Sequence, residues 1–214
     1  MTSFDPNDPV DPRAFDGVVG SKRSADLDAG LDTDPALAAA VLELETHAAT
    51  EGWGQPARLY ALVDTALLAA QAPGLAAAMG LDEDDAAGSL TPVEQDELPG
   101  DVSFESAVAE IAWPPQVAGC AATLERLVLP PEVDPEIPAD PAAAAEFARS
   151  HPLRQEVRMV VGVTRAGAAY CALRMRSHDD EHSVVGGTDL VPGLVQLLST
   201  TFDDTTFDDE EHHT

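Results

Sequence analysis

Apolar residues along this chain recur with two periods, and the stretches that show neither are as informative as those that do. Leu37, Val41, Leu44 and Ala48 fall at helical spacing behind Asp34-Pro35, a cap followed by a proline at the first helical position. The spacing predicts a helix that stops near Gly52. Residues 57–63 form a short apolar run after Gly54 and Pro56 and are read as a strand. Asp64 then caps a helix over residues 65–71 that Pro73-Gly74 ends, with a further turn over 75–79. Thr91-Pro92-Val93-Glu94 has the form of a capping box, which predicts a short helix closed by Pro99-Gly100. Ser103 opens another helix, with Phe104, Val108 and Ile111 on one stripe and Trp113-Pro114-Pro115 as its stop. Residues 117–129 read as a long strand ended by Pro130-Pro131. Asp140-Pro141 opens a helix running to about Ser150, and residues 191–201 form the last one, with Leu194, Leu197, Leu198 and Phe202 at helical spacing.

Residues 154–177 carry the strongest strand signal, two alternating runs around Arg165-Ala166-Gly167. A two-residue loop would place Arg174 and Arg176 on the face of Val157, Met159, Val161 and Val163. A three-residue loop sets those four opposite Met175, Leu173, Cys171 and Ala169, and Gly167 suits the left-handed position such a loop needs. Burial fixes register, so the second solution is preferred. It leaves a second face on which Glu156 opposes Arg176 and Arg158 opposes Arg174, with Val160, Ala172 and Tyr170 nearby.

Composition refines this outline. The chain has 214 residues, 44% of them hydrophobic but only 5% aromatic, so its core is built from small side chains. The formal net charge is -28. Most of it lies in residues 1–34, 81–101, 132–140 and 203–214, which lack an apolar period and read as tails and loops extended by self-repulsion. We expect an acidic tail over 1–33, one domain over 34–202 with an acidic loop at 81–101, and a second acidic tail over 203–214. Nucleic acid and anionic membrane are poor partners for such a chain, because both are bound chiefly through Lys and Arg. No apolar stretch is long enough to span a bilayer, and the first dozen residues lack the basic and apolar regions of an export signal. Cys120 and Cys171 sit within apolar runs and are expected to be buried and reduced, which fits a cytoplasmic location.

Two places carry candidate chemistry. Arg158, Arg174 and Arg176 on one sheet face would repel one another unless carboxylates or an anion lie between them. That face is a candidate site for a small anion or an acidic protein partner, against the plainer reading that this chain's own acids neutralise it. The following loop holds His178, Asp179, Asp180 and His182, side chains that suit Zn, Mn or Fe, although Thr188 or Asp189 capping the last helix explains the region more simply. No G-x-S-x-G, H-E-x-x-H, C-x-x-C or phosphate-loop pattern occurs, which weighs against an enzyme. Trp53 and Trp113, beside glycines and prolines, are read as anchors of helix ends on the sheet.

Several blocks carry a resemblance: Gly52-Trp53-Gly54-Gln55-Pro56-Ala57-Arg58-Leu59-Tyr60-Ala61-Leu62-Val63, Leu90-Thr91-Pro92-Val93-Glu94-Gln95-Asp96-Glu97-Leu98-Pro99, Ile111-Ala112-Trp113-Pro114 with Val117-Ala118-Gly119-Cys120, and His151-Pro152-Leu153-Arg154-Gln155-Glu156-Val157-Arg158-Met159. Together with the arginine strand running into Ser177-His178-Asp179-Asp180, they resemble a conserved actinobacterial family of unknown function over roughly residues 35–200. The resemblance implies a bacterial cytosolic setting and supplies no catalytic residue. The resulting expectation is a single α+β domain with an antiparallel sheet of at least four strands and helices packed mainly on one face. Its expected role is that of a noncatalytic interaction or adaptor protein, without a cofactor. The alternative is a metal-dependent hydrolase or metal-binding protein that uses a divalent metal.

Overall fold

Asp34 accepts hydrogen bonds from the amides of Ala36 and Leu37 and starts α1 (Pro35–Glu51), which Gly52 closes. Asp64 does the same for α2 (Thr65–Gln71) through the Leu67 amide, and α3 (Pro73–Ala78) follows. Ser103 caps α4 (Phe104–Ala109) and Asp140 caps α5 (Pro141–Ser150), as their sequences predict. The last helix, α6 (Pro192–Thr200), departs from expectation, because Val191 holds its cap position and neither Thr188 nor Asp189 caps it. This computed structural model describes residues 33–78, 88–98 and 102–202. The expected C-terminal tail, nearly all of the N-terminal one and much of the acidic loop lie outside them.

Six strands form one antiparallel sheet: β1 (Arg58–Asp64), β2 (Leu90–Glu94), β3 (Val117–Val128), β4 (Gln155–Thr164), β5 (Ala169–Met175) and β6 (Val185–Gly187), in the order β2-β1-β3-β4-β5-β6. The β4–β5 hairpin has the predicted register, with Val157 opposite Met175, Met159 opposite Leu173, Val161 opposite Cys171 and Arg158 opposite Arg174. Gly167 adopts φ 90° in its loop.

Two expectations fail. Residues 90–94 are a strand, not a capped helix. Thr91 turns its hydroxyl to Thr65 Oγ1 at 2.8 Å, inside the fold, and Pro92 is tolerated because β2 lies at the sheet edge. Residues 185–187, in the loop expected to lead into the last helix, instead form β6 against β5, with Gly187 opposite Cys171 and Gly186 opposite Ala172.

The fold class is α+β, with the core split by the sheet. Leu59, Cys120, Leu124, Met159, Val161 and Cys171 line one face, packed by Phe104 and Val108 of α4 and by Leu194 and Leu198 of α6. Tyr60, Leu62, Ala121, Val160 and Ala172 line the other, packed by Leu37, Ala40, Val41 and Leu44 of α1. Both cysteines are free and buried. Burial pushes the Cys120 thiol up to about 11 and raises that of Cys171, so neither is a ready nucleophile.

Candidate functional site

Beyond the apolar part of the second face, the strands turn from small hydrophobic residues to charged ones. Arg158 of β4 and Arg174 of β5 stand side by side there, and both are buried. Two adjacent guanidinium groups need carboxylates, and α1 and β3 supply them. Arg174 Nε and Nη2 donate to Glu45 Oε1 and Oε2 at 2.6 and 2.7 Å, a bidentate pair in which Glu45 is only 2% exposed. These hydrogen bonds to Glu45 raise the already high pKa of Arg174. Arg158 Nη2 donates to the Gly52 carbonyl and, at 3.1 Å, to Glu125 Oε1.

The connection after α1 completes the arrangement. Gly52 and Gly54 both take φ 86°, which lets the chain set Trp53 over the guanidinium groups. The Trp53 ring lies 4.4 Å from Arg158 Cζ and 5.7 Å from Arg176 Cζ. Its indole N–H donates to Asp179 Oδ2 at 2.8 Å, and the Gly54 amide donates to Glu125 Oε2 at 2.8 Å. Arg176 stands at the rim, its side chain 53% exposed, donating to Glu156. Trp53 therefore does anchor a helix end on the sheet. Trp113 does likewise, stacking on Phe202 and donating to Thr201 Oγ1.

The arginines thus follow the predicted parity but not the predicted exposure. Arg158 and Arg174 point away from the α4–α6 core, yet α1 and the Trp53 turn cover them, and the chain's own acids neutralise them. The expected open patch of three arginines reduces at the surface to Arg176.

The histidine and carboxylate side chains of the next loop are spread over separate local contacts. Asp179 faces Trp53 and, at 3.5 Å, Arg174 Nη1. Asp180 accepts from Ser183 Oγ and the His182 amide, and the Ser183 bond leads the causes that lower its pKa. His178 pairs with Ser177, and the His182 ring is exposed. Among the described residues, no group of three or more His, Cys, Asp or Glu side chains is arranged to hold a metal ion.

A small cavity adjoins the cluster under residues 51–56, lined by Gln55, Arg58, Tyr60, Thr123, Glu125 and Arg158 together with apolar surface of Ala48, Pro56 and Leu124. Arg58 pairs across its edge with Glu51 at 2.7 Å and Glu94 at 3.6 Å. Burial raises the pKa of the Tyr60 phenol.

Glu45 and Glu125 are the important residues that the sequence reading passed over. Glu45 had a signal, since it falls one turn after Val41 on the buried row of α1. An acid on that row needs a buried cation. Glu125 had none apart from its place in β3, because its partnership with Arg158 depends on the β3–β4 register.

Three of the resembling blocks therefore meet at this end of the sheet, with Trp53 brought onto Asp179, 126 positions later in the chain. Comparison with known proteins gives the same extent for the family: the model described as PPA1309-like protein matches residues 37–203, and the chain belongs to that family. No curated protein and no solved structure matches the chain.

Proposed function

We propose that this member of the PPA1309-like family is a noncatalytic interaction protein that engages an acidic segment of a protein partner at the rim formed by Trp53 and Arg176. The observation that carries this reading is the state of Arg176: half in solvent, beside the Trp53 ring, and held by a single carboxylate that is itself 38% exposed. Tryptophan and arginine are among the residue types most enriched at the energetic centres of interfaces. A partner carboxylate can replace Glu156 on the Arg176 fork at little cost, since both groups of the existing pair are already hydrated. Arg158 and Arg174 act here as supports: through Glu45, Glu125 and Asp179 they hold the tryptophan in position.

The reading puts the protein in a cytosol, in keeping with two cysteines that are buried and unpaired. In the described residues no helix is long and apolar enough to cross a membrane.

The test is quantitative capture from lysate of the native cell on the immobilised full chain, followed by titration of the purified captured protein. The wild type and an Arg149→Glu control should bind alike. Arg176→Glu should lose about tenfold or more in affinity, and wild-type binding should weaken with salt. Equal binding by Arg176→Glu removes the proposal.

A further inference from the structure

Arg158 is 1% exposed, and its Nη2 is engaged while its Nη1 has no hydrogen-bond partner. The Thr123 hydroxyl, in a residue 6% exposed, also lacks one of ordinary length and angle, although the Tyr60 phenol is close enough to feel it. Buried donors and acceptors left unpaired are costly, and native structures satisfy nearly all of them. Arg158, Thr123 and Tyr60 all line the cavity beneath residues 51–56. That cavity leaves about 10 Å³ open to the centre of a water molecule. Such a space is roughly what one water needs, and a stable buried water has two to four polar neighbours.

We propose that one ordered water molecule occupies this cavity as a structural ligand, accepting a hydrogen bond from Arg158 Nη1 and bonding to the Thr123 and Tyr60 hydroxyls. Charge argues for water over a halide. Glu51 and Glu125 line the same space and already pair with Arg58 and Arg158. An anion would put a third negative charge beside two carboxylates with no cation left to balance it. The water completes the coordination of the guanidinium that carries Trp53 and the Gly52 carbonyl, and so belongs to the support of that turn. This inference does not depend on the proposed partner.

The test is a high-resolution crystal structure of the full chain, grown once in chloride and once in bromide. We expect a single peak at hydrogen-bonding distance from Arg158 Nη1 and Thr123 Oγ1, with no anomalous bromide signal there. Thr123→Val should lose the peak and Thr123→Ser should keep it, and the wild-type map decides if neither variant folds. The wild-type melting temperature should be the same in chloride and gluconate at equal ionic strength. An empty cavity, a bromide peak, specific stabilisation by chloride, or a protein acceptor on Arg158 Nη1 would each overturn the proposal.

Discussion

Glu45 shows what a single side chain contributes when it is the only buried acid on an apolar helix face. Its two oxygens meet Arg174 in a fork with almost no solvent, so neither charge has an alternative partner of equal quality. A buried pair is not in itself a large source of stability, because both ions lose hydration on folding. Removing one member is a different matter, since the remaining charge stays buried and uncompensated. Glu45→Ala should therefore destabilise the fold by about 3–5 kcal/mol, whereas Glu45→Leu combined with Arg174→Met should recover most of that loss. Urea unfolding of the two variants checks the contrast. Equal destabilisation by the single and double variants would show that Glu45 matters for packing and not for the charge it balances. Parity put Arg158 opposite Arg174 in the sequence reading. Their burial was not legible, because the covering groups come from α1 and the Trp53 turn: Glu45 lies 129 positions before Arg174 and Gly52 lies 106 before Arg158.

At the scale of elements, α1 decides what the second sheet face becomes. Its close seating depends on Gly162 near the end of β4: a Cβ there would fall 2.7 Å from Val41 Cγ2 and 2.9 Å from Leu37 Cδ1. Gly162→Ala should push α1 outward and cost about 1–3 kcal/mol, with faster amide exchange along α1 than along β3 and β4. Hydrogen exchange read by mass spectrometry distinguishes this from uniform loss of stability. Helices with strong local caps, α1, α2, α4 and α5, were legible in the sequence because Asp or Ser at the cap acts within three residues. The β4–β5 hairpin was legible for a similar reason, as its glycine and alternating residues are local. β2 was not. Thr91 to Glu94 satisfies the local pattern of a capping box, but pairing with β1 and the Thr65–Thr91 hydrogen bond bring tertiary contacts that outweigh it. β6 escaped notice because Val-Gly-Gly carries almost no strand signal without β5 beside it.

For the molecule as a whole, the sheet separates two tasks. One face, under α4 and α6, holds the larger apolar core; the other, under α1, passes from small apolar residues to a neutralised charge cluster that ends at the Trp53–Arg176 rim. Sequence reasoning found the fold class and the arginine-bearing face, and overestimated how much of that face is open, because exposure depends on the seating of an entire helix. The central claim is that Arg158 and Arg174 belong to the interior while Arg176 belongs to the surface. Arginine-specific labelling of the native protein with phenylglyoxal, followed residue by residue with mass spectrometry, measures this directly. The account predicts rapid modification of Arg176, with Arg158 and Arg174 protected until the protein is unfolded in urea. Modification of all three at similar rates in the native state would contradict it.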